Sequence, residues 1–123
     1  MEKVTGIGGL FFRSRDPESL ARWYLNHLGV APAPTSYEGT PWTQEAGITV
    51  FAPFAASTDY FGNPQQMWMV NFRVRDLDAM VRQLEDAAIK VVVDEHVYPN
   101  GRFARLHDPE GNPIELWQPA DPK

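Results

Sequence analysis

Glu115 and His107 are the residues of this sequence best suited to move a proton. They flank the segment Asp108-Pro109-Glu110-Gly111-Asn112-Pro113, and Trp117 follows two positions after the carboxylate. A carboxyl group beside an indole is partly desolvated. On that reading a raised pKa is expected, which would suit proton abstraction or a hydrogen bond to a ligand. His107, at the end of a strand pattern, is the acid or base that could partner it. The plainer alternatives are a carboxylate bonded to a neighbour and a histidine bonded at its turn. His27 falls on a helix pattern, on its solvent side, and His96 in a loop before Val97-Tyr98-Pro99. The chain has no cysteine, which excludes thiol catalysis, disulfides and cysteine-bound zinc.

The second kind of chemistry is ligand binding. Four Trp, seven Phe and four Tyr are many for 123 residues. They can all be core, or some can line a pocket for a flat organic ligand. Arg105, Arg13 and Arg73 could meet an anionic group on such a ligand, or simply pair with surface acids. Net charge is −5 with no basic cluster, which argues against nucleic acid and anionic membranes as partners. No apolar run approaches the roughly 20 residues of a membrane span. Met1-Glu2-Lys3 leads straight into a strand-like pattern without a secretory apolar region, so a cytoplasmic location is expected.

These residues need elements to position them, and the elements come in duplicate. Phe12-Arg13-Ser14-Arg15-Asp16 recurs sixty residues on as Phe72-Arg73-Val74-Arg75-Asp76. Ile48-Thr49-Val50-Phe51-Ala52-Pro53 is echoed by Ile114-Glu115-Leu116-Trp117-Gln118-Pro119. Each copy opens with a strand pattern, Val4 to Arg15 and Gln66 to Arg75, and runs into a helix. Asp16 and Asp76 are N-caps, and Pro17 takes the first helical position, where an N–H is not needed. Leu20, Trp23, Tyr24 and Leu28 form one apolar stripe, ended by Gly29. Leu77, Met80, Val81, Leu84 and Ala88 form the other. Short strands follow: Pro34 to Tyr37, Trp42 to Glu45 and Ile48 to Phe54, then Lys90 to Glu95, Arg102 to His107 and Ile114 to Gln118. Asp108-Pro109-Glu110-Gly111 suits a type I turn.

The expected fold is α+β: one domain over 1–123, built from two tandem β-α-β-β-β modules. Module one covers about 1–54, a linker 55–65, and module two 66–119. One helix covers one face of each sheet, and the two mixed, curved sheets form a cleft on the other. Strand alternation sorts the side chains. Leu10, Phe12, Val70, Phe72, Val74, Ala104 and Leu106 face the helices. Phe11, Arg13, Thr49, Phe51, Met69, Asn71, Arg73, Phe103, Arg105, His107, Glu115 and Trp117 face the cleft, with Trp42 a further aromatic candidate. Trp68 has helix-facing parity. Tyr60 and Phe61 on the linker are placed to act as a lid or to pack at a dimer seam.

Ile7-Gly8-Gly9-Leu10-Phe11-Phe12, Asn71-Phe72-Arg73-Val74-Arg75-Asp76 and above all Asp108-Pro109-Glu110-Gly111-Asn112-Pro113-Ile114-Glu115-Leu116 resemble the vicinal-oxygen-chelate superfamily of glyoxalases, bleomycin-resistance proteins and extradiol dioxygenases. The resemblance implies paired β-α-β-β-β modules, a homodimer, and a cleft in which enzymes hold a divalent metal that chelates two substrate oxygens. It puts the metal ligands at Gly9, Thr49, Met69 and Glu115, of which Glu115 alone is a credible ligand. The expectation is therefore a protein that binds a drug or aromatic metabolite without a metal or other cofactor. The alternatives are a metal-dependent lyase, isomerase or dioxygenase with a degenerate site, and a metal-free acid–base catalyst using Glu115. A dimer with neither turnover nor ligand is a third possibility, and the sequence leaves open whether the protein is an enzyme.

Overall fold

The computed structural model describes residues 1–121. Its elements are α1 (Pro17–Leu28), β1 (Val70–Arg73), α2 (Leu77–Asp86), β2 (Val92–Val93), β3 (Gly101–His107) and β4 (Pro113–Pro119). The strands form one mixed sheet in the order β1-β4-β3-β2. β1 runs parallel to β4, and β2–β3 and β3–β4 are antiparallel. No helix among the described residues is long and apolar enough to cross a membrane.

Local chemistry sets the helix ends. The Asp16 carboxylate accepts from the Ser19 N–H at 3.2 Å, and Pro17 opens α1. Gly29, at φ 72°, turns left-handed and returns its N–H to the Leu25 carbonyl, a geometry that a side chain disfavours. Asp76 caps α2 by accepting from the Ala79 N–H at 3.0 Å. The apolar stripes then fix what each helix covers. Leu20 and Tyr24 of α1, and Leu77, Val81 and Leu84 of α2, bury against Ala104, Leu106, Ile114 and Leu116. Val70, Phe72 and Val74 pack on the same core, as alternation requires. The α2 stripe is shorter than expected, because the helix ends at Asp86 and Ala88 lies beyond it with φ 63°.

The turn between β3 and β4 ties α1 to the sheet. The Gly111 N–H bonds the Asp108 carbonyl at 2.9 Å, closing the turn expected from the sequence. The buried Asp108 carboxylate accepts from the backbone of Glu110 and Asn112, from the Asn112 amide, and from the Tyr24 hydroxyl at 2.7 Å. Four donors offset the cost of burying that charge. Glu110 reaches the other way and accepts from the Ser14 hydroxyl and the N–H groups of Arg15 and Asp16.

The first half departs from expectation. The strands expected at Val4 to Arg15, Pro34 to Tyr37, Trp42 to Glu45 and Ile48 to Phe54 are not formed: among the described residues no strand precedes Val70. The α1 helix lies beside α2 on the later sheet and shares its core rather than covering a sheet of its own. A strand is defined by its ladder, and these segments find no ladder partner among the described residues. Their large apolar side chains stand in solvent, with Phe11 at 95% exposure and Phe51 at 83%.

Candidate functional site

The sheet face turned away from the helices carries two rungs of side chains. In the first, Asn71 of β1, Glu115 of β4 and Arg105 of β3 lie side by side in register. In the second, Arg73, Trp117 and Phe103 do the same. Both rungs follow from strand alternation: Ile114 and Leu116 point into the core, so Glu115 and Trp117 must point out of it.

The polar rung is closed by the linker. The Glu115 carboxylate accepts from the Asn71 amide at 2.8 Å and, on its other oxygen, from the Tyr60 hydroxyl. Arg105 donates to the Tyr60 carbonyl at 2.6 Å, and its guanidinium carbon lies 4.6 Å from the centre of the Tyr60 ring. Phe54 stacks on the same ring at 5.6 Å. Glu115 is thereby left 8% exposed, while Tyr60 itself remains 37% exposed. Burial, then the bond to Glu115, pushes the Tyr60 hydroxyl up to about 12, so it stays protonated and donates.

The aromatic rung is held from the side. Phe103 and Trp117 are parallel within 3°, with ring centres 6.2 Å apart. The Trp117 indole N–H bonds the Asn100 carbonyl at 2.9 Å, which fixes the indole plane. Gly101 makes this approach possible: a β-carbon there would fall 2.2 Å from the Gln118 carbonyl oxygen and 2.9 Å from the indole nitrogen. Tyr98 meets Phe103 edge-on at 5.8 Å, and His96 meets Tyr98 at 4.3 Å. Tyr98 is anchored by a 2.7 Å bond to Asp94, whose carboxyl is held below its ordinary value by that bond and by the His96 N–H.

Several expected site residues come together here, namely Met69, Asn71, Arg73, Phe103, Arg105, Glu115 and Trp117. Met69 receives a bond from Arg105 at 3.5 Å, and Arg73 reaches out of the face to the Glu45 carbonyl at 3.1 Å. Phe11, Arg13, Trp42, Thr49 and Phe51 lie on the unpaired first half and are exposed. His107 does not partner Glu115. It is exposed, opposite Pro113 at the end of β3, while the residue across from Glu115 is Arg105. The pairing by sequence proximity therefore fails, because the strand ladder sets which residues meet. Asn71 and Tyr60 are the direct partners of Glu115, and the place of Tyr60 on a linker did not signal its part. Trp68 packs on Phe12 at 4.8 Å.

The positions that the resemblance marks for metal do not fit a divalent cation. Gly9 has no donor, the Met69 thioether is soft and faces a guanidinium, and both Glu115 oxygens are engaged. Among the described residues, no cluster of three or more His, Cys, Asp or Glu could hold one. The face offers instead a carboxylate that takes O–H or N–H donors, a cation that lies against a ring, and a pair of parallel rings.

A β-α-β-β-β unit with one face under helices and the other free is the architecture of the vicinal-oxygen-chelate and bleomycin-resistance class. A model of the glyoxalase-like domain matches residues 9–117, and the chain belongs to that family. Its fold is similar to that of TnmS3, an antibiotic binding protein from Streptomyces sp. CB03234, with 20% identity, 98% of this chain and 100% of that chain covered, and a TM-score of 0.66. A glyoxalase family protein from Bacillus anthracis is 26% identical over 83% of this chain and 84% of that chain, with a TM-score of 0.54. TioX from Micromonospora sp. ML1 is 20% identical over 89% of this chain and 93% of that chain, with a TM-score of 0.52. No curated protein matches the sequence.

Proposed function

We propose that this protein binds a small organic molecule, a drug or a flat aromatic metabolite, on the open sheet face without a metal. The carrying observation is the juxtaposed rungs: an engaged carboxylate and guanidinium beside the parallel rings of Phe103 and Trp117. Stacking and directed hydrogen bonds are what such ligands need. The fold shared with an antibiotic binding protein is consistent with this reading. The protein would act in the cytoplasm.

The binding cleft is completed in a homodimer. The exposed apolar side chains at Phe11, Ile48, Val50 and Phe51 lie on segments that repeat the patterns of β1 and β4. Such segments gain a ladder by pairing with a second copy, which would restore the first module across the dimer. Phe11, Trp42, Thr49 and Phe51 would then line the cleft opposite the rungs.

Elemental analysis, thermal shift with nickel, manganese, iron(II), zinc and EDTA, and a tryptophan-fluorescence screen of flat aromatic compounds and glycopeptide antibiotics test the proposal. No bound metal, no metal-induced shift and saturable quenching by aromatic compounds are expected. A stoichiometric metal that is lost in Glu115→Ala would overturn it.

A further inference from the structure

Tyr60 belongs to the linker, yet it satisfies the polar rung as a bound molecule would. Its hydroxyl donates to Glu115, its ring lies against Arg105, and its carbonyl accepts from the same guanidinium. The linker around it is built from turns, and the ring is partly exposed, so it can leave without disturbing the core. We propose that Tyr60 is an internal stand-in for the ligand, and that the ligand is a neutral, fused-ring hydroxyaromatic compound which displaces it.

Three observations define that class, on the reading that the open face binds a small molecule. First, a carboxylate only accepts, so the group that replaces the Tyr60 hydroxyl must bring a proton; a carboxylate ligand would face Glu115 with like charge. Second, the guanidinium of Arg105 is arranged to meet a ring face. Third, the aromatic rung of Trp117 and Phe103 lies two residues further along the strands, about 7 Å away. A single ring seated on Glu115 stops short of it, whereas a fused second ring reaches the half-buried Phe103 ring, behind which Trp117 is buried at 5% exposure.

The test uses 2-naphthol, with 2-methylnaphthalene and 2-naphthoate as controls, titrated into the full chain. Binding is read from the amide signals of β4 and the Trp117 indole N–H in proton–nitrogen NMR spectra. A hydroxyl bonded to a charged group predicts 2-naphthol tighter than 2-methylnaphthalene by about tenfold or more, with 2-naphthoate weakest. Tyr60→Ala and Tyr60→Phe should each tighten 2-naphthol several-fold, the second without removing the ring. Glu115→Gln should shrink the preference for the hydroxyl. Equal affinity for naphthol and methylnaphthalene, or no gain in either Tyr60 variant, overturns the ligand class and leaves small-molecule binding intact. Absence of open-face shifts with all three probes, in folded wild type and Tyr60→Phe alike, overturns both.

Discussion

Tyr24 on α1 and Asp108 at the start of the β3–β4 turn share a buried hydrogen bond of 2.7 Å across 84 residues of chain. It joins the first helix to the later sheet. Burial, then the bond to Asp108, raises the Tyr24 hydroxyl well above its ordinary value of 10.0. Tyr24→Phe removes one of four donors from a buried carboxylate and should cost about 1–3 kcal/mol in urea unfolding. The pH dependence has a definite sign. The folded state holds this proton longer than the unfolded chain does, so stability is full below pH 10 and falls above it. Tyr24→Phe should show a shallower alkaline fall in a pH series of unfolding midpoints, the remainder coming from Tyr60 and Tyr98, whose hydroxyls are also raised.

Glu110 gives the opposite pH signature. Bonds from the Arg15 N–H and the Ser14 hydroxyl hold its carboxyl below the ordinary 4.5. Its contribution is present above that value and is lost as pH falls through the folded one. Wild type should exceed Glu110→Gln in thermal stability at neutral pH, and the two curves should converge in acid. A constant gap from pH 7 to 3 would show that the bonds, and not the charge, are what matters.

Gly101→Ala should destabilise by about 2–4 kcal/mol, because the backbone at φ 132° disfavours a side chain and the new carbon meets the Gln118 carbonyl at 2.2 Å. The same contact crowds the Trp117 indole. Urea unfolding measures the loss, and near-ultraviolet circular dichroism should show the Trp117 environment altered in the variant that remains folded.

Phe11→Asp and Phe51→Asp place a charge on segments that are exposed in the single chain, at 95% and 83%. Neither should weaken the core, which contains neither ring. If these segments pair with a second copy, each variant should shift the mass measured by light scattering from dimer towards monomer. A monomeric wild type would remove the dimer from the proposal.

What the sequence determined by itself is local. Asp16, Pro17 and Gly29 mark the ends of α1, Asp76 starts α2, and Asp108 to Gly111 form the turn, because caps and turns depend on a few neighbouring dihedral angles and donors. The sides taken by Asn71, Phe103, Arg105, Glu115 and Trp117 were equally legible, because pleating forces alternate residues to opposite faces. The tertiary structure decided the rest. It set Arg105, rather than His107, across from Glu115, since ladder register and not sequence spacing chooses neighbours. It brought Tyr60 onto the carboxylate, since the path of a linker over a surface has no periodicity to read. It also left the strand-like first half without a ladder among the described residues, because a strand pattern states which face will be apolar but not which edge, or whose, will supply its hydrogen bonds.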